Sequence, residues 1–386
     1  MHSARLLVFC RFSIVLVMIS ICAGNITNSF LLKWSFRDDQ KGDFSRSYSL
    51  VGMMAGEAPK PYVYRSALAR ASKALAERLP AETRDKLHRS ILRYDSLHKA
   101  YFRGVPDGIW TPVVSIAYHL VYLAIVLSTA LSLLLIYRLA RLNSLTFAQA
   151  LSFVVAASLI YPLTFQQGGY YYDFLELLGA LLACYLTLKR QPFLATVAVA
   201  VFSLNKETFF LVPLALFFLR DRGDSLLRRC AWTMCQLAAC FATRQIIMSG
   251  YEGNAGGMVE FHLVDNLLFW LNPKSWLGFY NLVGKGILTP SLQNPLLLVP
   301  LVAFFREAWR LAPNPYRAYL VAAVGSVLPL FLLFGFHDEA RNFSTAFPSI
   351  VLIALCGATS FGRIFEGPSR NNAAGLASPS ASDERP

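Results

Sequence analysis

Long apolar runs alternate with short charged breaks along this chain, and the alternation predicts its secondary structure. One apolar run ends at Leu188, and two more cover residues 193–204 and 209–219. An unpaired charge at the centre of a bilayer costs about 2.5–3.5 kcal/mol on insertion scales. Apolar runs bounded by charge therefore predict membrane-spanning helices.

The runs on either side of Lys206 and Glu207 are unusually short, with about a dozen residues each. A helix of that length reaches about 18 Å, which is well short of a hydrocarbon core about 30 Å thick. Residues 193–219 therefore form either one long span with an ion pair in its middle or two short helices that meet at a charged tip.

The distribution of basic residues in the later loops favours the two short helices. Under that threading, ten Lys and Arg residues downstream of the pair face the cytoplasm and three face outside, as the positive-inside rule requires. The inside set is Arg220, Arg222, Arg228, Arg229, Arg306, Arg310, Arg317, Arg363, Arg370 and Arg385, and the outside set is Lys274, Lys285 and Arg341. Lys206 and Glu207 are then predicted on the extracytoplasmic side.

Composition supports a membrane protein and argues against a nucleic-acid partner. Of the 386 residues, 55% are hydrophobic and only 15% are charged, against about a quarter in soluble chains. The net charge of +13 comes from loops between apolar runs, so anionic lipid headgroups are its expected partners. The seven cysteines show neither metal-binding spacing nor the pattern of a disulfide framework.

Taken in order, the chain predicts an all-α integral membrane protein with about ten membrane segments. Residues 1–23 form a first transmembrane span with its N-terminus inside, and 24–111 form a long extracytoplasmic loop with amphipathic surface helices. Residues 112–362 form a multispanning domain that includes the short pair. Residues 363–386 form a disordered cytoplasmic tail. A loop of 88 residues is too long for a passive connection, which indicates a function for it.

This topology gathers ionisable residues from five separate stretches at the outer face. Charged groups at membrane depth usually line a cavity or pair with one another. Carboxylates there can accept a proton from a nucleophile, and cations can bind a phosphate. The alternative is structural, with Lys206–Glu207 and Glu339–Arg341 as ion pairs at helix ends and Asp173 as a helix cap. The set is Asp43, Arg65, Asp173, Lys206, Glu207, Glu339 and Arg341.

Several short motifs resemble a family of bacterial multispanning membrane proteins. Asp43, a Gly-containing interval and the run Pro-Tyr-Val-Tyr-Arg that ends at Arg65 are similar to that family's first external loop. Tyr-Asp173, Asn-Lys206-Glu207-Thr and Glu339-x-Arg341 resemble its later motifs. Ala69-Arg70 stands where the family pattern would have a proline. The family is mostly of unassigned activity, is associated with surface polysaccharide, and has a layout similar to the GT-C class of membrane glycosyltransferases.

The resemblance implies a transferase that passes a sugar from a polyprenyl-phosphate donor to an extracytoplasmic glycan or lipid acceptor. Asp43, or alternatively Asp39, would act as general base on the acceptor hydroxyl. Arg65, Lys206 and Arg341 would hold the donor phosphate. Asp173, Glu207 and Glu339 would orient those cations, or one of them would bind a divalent metal ion. The expected location is the bacterial inner membrane, with both termini cytoplasmic.

Two other functions fit the same residues. A transporter or flippase of a polar or anionic lipid-linked substrate would use the broken helix pair as its binding site. A polysaccharide polymerase or ligase is the third alternative. The 88-residue loop favours the transferase, because a transporter has little need of it.

Overall fold

The protein is described from a computed structural model, and nearly all of its regular structure is helical. The structure describes residues 2–36, 39–40, 43–44, 47–166, 168–220, 223–257, 261–282, 287–337 and 339–365. The helices are α1 His2–Trp34, α2 Leu50–Ala55, α3 Ala67–Arg78, α4 Ala81–Tyr94, α5 Pro112–Leu142, α6 Phe147–Ile160, α7 Tyr172–Leu188, α8 Pro192–Ser203, α9 Leu211–Leu216, α10 Leu226–Ser249, α11 Leu263–Leu271, α12 Pro295–Leu311, α13 Asn314–Phe334 and α14 Phe347–Phe365.

Short single-turn helices and two hairpins complete the fold. The 3₁₀ segments are Tyr62–Arg65, Tyr161–Phe165, Glu207–Phe210, Pro273–Leu277 and Ala340–Ala346, and a π-helical turn covers His98–Phe102. The antiparallel hairpins pair β1 Asp39–Gln40 with β2 Asp43–Phe44, and β3 Phe279–Leu282 with β4 Ile287–Pro290.

Several helices are long and apolar enough to cross a bilayer, which indicates a multi-pass membrane protein. In the part of the chain that the structure describes there are five such stretches. They are Val8–Trp34, Pro112–Leu142, Phe147–Phe165, Asn314–Phe334 and Ala340–Ser360. The larger count of about ten stays a prediction, because α7 and α12 have 17 residues each and α10 carries three arginines.

The short pair predicted around Lys206 is present as two separate helices. α8 ends at Ser203, and the following backbone is extended at Lys206, with φ −153° and ψ 140°. A 3₁₀ turn then leads from Glu207 into α9. A single span through this region is therefore excluded.

α7 lies at the centre of the helix packing and carries two buried carboxylates at its N-terminal end. It packs against α5, α8 and α14, and most of its residues are buried. Gly179 makes the contact with α8 possible, because a Cβ there would lie 2.4 Å from Cγ of Phe202. The close approach of α8 sets where Lys206 meets α7.

Contacts between two loops, one before Tyr62 and one after α10, fix the segment that carries Arg65. The backbone N–H of Lys60 donates to Ala255 O at 2.8 Å, and Asn254 Nδ2 donates to Gly56 O at 2.7 Å. Gly256 has a φ of +92°, and a Cβ there would lie 2.8 Å from Lys60 O. The chain after α10 is thereby joined to the chain that leads into the Tyr62–Arg65 turn.

The structure also differs from the sequence expectations in several places. α1 continues to Trp34, well beyond the end of the predicted apolar run at Ala23, because Phe30 and Leu31 are buried against the rest of the core. The β3–β4 hairpin is a short sheet within the segment 112–362, for which the sequence predicted helices alone. The predicted disordered tail lies, from residue 366 onward, outside the described residues.

Candidate functional site

A cavity of about 750 Å³ opens between turns and the ends of several helices. Its polar part is lined by residues from the Tyr62–Arg65 turn, the tip between α8 and α9, α10 and the start of the Ala340–Ala346 turn. Its apolar part is formed by α9, α10 and α13. The charged lining residues are Arg65, Lys206, Glu207, Arg244, Glu339 and Arg341.

Lys206 is held by two carboxylates of α7 that lie behind the cavity wall. Its Nζ is 2.8 Å from Glu176 Oε2 and 3.3 Å from Asp173 Oδ1. Thr208 Oγ1 donates to the other oxygen of Glu176 at 2.8 Å. Burial alone would lower the pKa of Lys206, but Glu176 and Asp173 outweigh that effect and raise it above its ordinary value. Lys206 is therefore charged at neutral pH.

Arg341 bridges the same α7 carboxylate to Glu339. Its Nη1 donates to Asp173 Oδ2 at 3.0 Å, and its Nη2 donates to Glu339 Oε1. Asn342 Nδ2 donates to the second oxygen of Glu339 at 3.1 Å. Gly168 allows this arrangement, because a Cβ there would lie 2.8 Å from Glu339 Oε1 and 3.2 Å from Arg341 Nη2.

Glu207 faces away from Lys206 and binds two arginines. Arg65 forms a two-point ion pair with it, with Nε donating to Oε2 at 3.0 Å and Nη2 donating to Oε1. Arg244 Nη2 lies 3.9 Å from Glu207 Oε2. Burial would lower the pKa of Arg65, but Glu207 and Tyr172 raise it well above its ordinary value. The guanidinium therefore stays charged.

Two stacked tyrosines lie between Arg65 and Arg341 and contact both guanidiniums. The rings of Tyr170 and Tyr172 are nearly parallel, with centroids 4.9 Å apart. Arg65 Cζ lies 5.1 Å from the Tyr172 centroid, and Arg341 Cζ lies 4.9 Å from the Tyr170 centroid. A cation within about 6 Å of an aromatic centroid is attracted by the ring face. Tyr170 and Tyr172 both line the cavity, so this aromatic pair belongs to the site.

The structure brings together most of the residues proposed from the sequence. Arg65, Lys206, Glu207, Glu339 and Arg341 line the cavity, and Asp173 lies directly behind it. Asp39 and Asp43 belong to the β1–β2 hairpin, but their side chains lie outside what the structure describes.

The alternative of a Lys206–Glu207 ion pair is wrong. Side chains of successive residues point to opposite sides of an extended backbone, and Lys206 is extended. Lys206 therefore turns to Asp173 and Glu176 on α7, and Glu207 turns to Arg65 and Arg244. The predicted Glu339–Arg341 contact is present, although Arg341 also binds Asp173.

Sequence reasoning missed two residues of this site. Glu176 stands three positions after Asp173, which is the spacing of neighbours on one helix face. Arg244 is a cation inside the apolar stretch of α10, and such residues usually face the interior of a bundle. Both signals were readable from the sequence.

The described part of the chain contains no group of three or more His, Cys, Asp or Glu side chains placed to hold a metal ion. Asp173, Glu207 and Glu339 each form ion pairs with Lys or Arg side chains.

Comparison of the chain with protein-family models, with curated proteins and with solved structures finds no match to any of them.

Proposed function

We propose that the protein is a membrane glycosyltransferase with a layout resembling the GT-C class, using a polyprenyl-phosphate-linked sugar. The observation that supports this most is the composition of the cavity wall. Four cations and two carboxylates face one part of the cavity, whereas apolar residues of α9, α10 and α13 face the other. A ligand with an anionic head and a hydrocarbon chain matches both parts.

The cations supply positive charge where the donor phosphate leaves. Arg65, Lys206 and Arg341 all line the cavity and are held in place by carboxylates. Cations aimed at a leaving phosphate stabilise the charge that develops on it in the transition state. Because Asp173, Glu176 and Glu339 fix Lys206 and Arg341 beforehand, these two cations need little reorganisation during the reaction.

The general base is assigned to Asp43, with Asp39 as the alternative. Tyr48 packs on Tyr62 of the cavity wall, with ring centroids 5.6 Å apart. Asp43 precedes Tyr48 by five residues, so its Cα lies within about 18 Å of that anchor. This reach is compatible with a role at the cavity.

In the proposed step, the acceptor hydroxyl oxygen forms a bond to the anomeric carbon of the donor sugar. The bond between that carbon and the phosphate oxygen breaks, and the lipid phosphate leaves with the electron pair. The carboxylate of Asp43 takes the hydroxyl proton. The proposed acceptor is an extracytoplasmic glycan or lipid, and the proposed location is the bacterial inner membrane with both termini in the cytoplasm.

The test compares Asp43→Asn with the unchanged protein in membranes supplied with lipid-linked sugar and extracted cell-envelope acceptor. The amide keeps the shape of the side chain but cannot accept the proton, so product formation should fall by about a hundredfold or more while membrane insertion is unchanged. Full activity of Asp43→Asn would move the base to Asp39. Full activity of Asp39→Asn as well would overturn the transferase mechanism.

One feature favours a second candidate, a transporter or flippase of an anionic lipid-linked substrate. The helix between Pro192 and Leu216 is interrupted at the cavity, and interrupted helices often form the binding sites of transporters. Proteoliposomes with a fluorescent lipid phosphate separate the two candidates. Movement of the lipid across the bilayer without any change in its covalent structure would support the transporter.

A further inference from the structure

The charged residues of the cavity fall into two groups with opposite charge balance. The acidic group is Lys206 and Arg341 with Asp173, Glu176 and Glu339, and it contains one more carboxylate than cation. The basic group is Arg65 and Arg244 with Glu207, and it contains one more cation than carboxylate. These balances refer to the described residues. An anionic ligand is therefore attracted to the basic group.

Arg244 has hydrogen-bonding capacity left for a ligand. Its Nη1 donates to the backbone oxygen of Tyr64 at 3.3 Å, and its Nη2 is 3.9 Å from Glu207, beyond hydrogen-bonding distance. A guanidinium carries five N–H donors. Because its side chain is only 11% exposed, few of these donors can be satisfied by bulk water.

Glu207 is the most exposed charged residue of the cavity wall. Its side chain is 34% exposed, whereas the other five charged lining residues range from 4% to 14%. Both of its oxygens accept hydrogen bonds from Arg65. A ligand anion that displaces Glu207 toward solvent leaves two guanidiniums facing the cavity.

The apolar wall begins on the same helix that carries Arg244. Leu237 and Phe241 line the cavity from α10, and Val327 and Phe331 line it from α13. Residues 237, 241 and 244 recur at spacings of four and three, which keeps them on one face of the helix. A hydrocarbon chain that follows this face leads directly to the guanidinium.

We propose that Arg65 and Arg244 form a binding site for a phosphate monoester, with Glu207 as the internal counter-ion that the phosphate displaces. The bound phosphate accepts hydrogen bonds from both guanidiniums, and the chain attached to it lies against α10 and α13. Lys206 and Arg341 keep their carboxylate partners and line the cavity beside this site. The inference rests on the proposed function only in taking the phosphate to be a lipid headgroup.

The test measures binding to the detergent-purified full chain, with dodecyl phosphate and inorganic phosphate as separate probes. Arg244→Gln should weaken dodecyl phosphate binding about tenfold or more, as expected for one hydrogen bond between charged groups. Glu207→Gln should strengthen binding, because it removes the competing anion. Arg70→Gln is the matched control, since Arg70 also stacks on a tyrosine, Tyr251, but does not line the cavity.

Each outcome decides a separate part of the proposal. Unchanged binding in Arg244→Gln, or weaker binding in Glu207→Gln, would overturn the site. If inorganic phosphate and dodecyl phosphate bound with equal affinity and both were weakened in Arg244→Gln, the anion-binding site would be supported. The claim that the anion is a lipid headgroup would be contradicted. If Arg244→Gln does not fold, the increased affinity of Glu207→Gln still tests the site. The binding assay contains no sugar donor, so its result does not depend on transferase activity. If the transferase proposal failed, dodecyl phosphate would still bind, and only the separate activity assay would lack product.

Discussion

At the scale of single residues, Lys206 is a buried cation held by two carboxylates. Its side chain is 4% exposed and lies between two carboxylates that are themselves buried. Removing one member of a buried ion pair costs about 3–5 kcal/mol, because the partner charge is left without compensation. Neutralising the partner charge as well recovers part of the lost stability.

Lys206→Met should therefore lower the thermal stability of the purified protein strongly. The double variant Lys206→Met, Glu176→Gln should recover much of the loss, because the stranded carboxylate becomes a neutral amide. Lys206→Met, Glu207→Gln should not recover it, since Glu207 pairs with Arg65 instead. Scanning fluorimetry in detergent measures all three, and equal rescue by the two doubles would contradict the pairing described here.

At the scale of elements, the approach of α8 to α7 determines whether Lys206 reaches its partners. Gly179→Leu should separate the two helices, because even a Cβ at this position would overlap the ring of Phe202. We expect lower thermal stability and loss of glycan product together. Gly325→Leu on α13 is the matched control, since a Cβ there has open space around it. A stable and active Gly179→Leu would show that α8 can move without affecting the site.

The sequence predicted the elements of this site better than the contacts between them. The lengths of the apolar runs predicted the break at Lys206, and the loop charges placed Arg65, Lys206 and Arg341 at one end. Neither signal could show that Lys206 points to α7, because that direction depends on the local backbone conformation. The aromatic stretch containing Tyr280 gave no separate signal for a hairpin, since tyrosine and tryptophan also mark headgroup depth.

At the scale of the whole molecule, the two ends of α10 are predicted on opposite sides of the membrane. The cavity lies beside the C-terminal half of this helix, and Gly223 lies just before its N-terminal end. Cysteines at Gly108 and Gly253 should react with an impermeant thiol reagent added outside intact cells, and one at Gly223 should not. All three glycines are exposed, and a Cβ at Gly108 or Gly253 meets no neighbouring atom. The background should lack the exposed cysteines Cys10, Cys230 and Cys235. Labelling of the cysteine at Gly223 alone would show that the protein crosses the membrane in the opposite orientation to the one proposed.

The shortness of α8 has a further consequence for the surrounding lipid. Its twelve residues reach about 18 Å, so α8 cannot match a hydrocarbon core about 30 Å thick. Hydrophobic mismatch of this kind is relieved when the bilayer becomes locally thinner. The charged tip then lies below the general level of the headgroups, inside a depression in the membrane. If a lipid phosphate is the ligand, as proposed, its path from that depression into the cavity is short, and bilayers of long acyl chains should slow its entry.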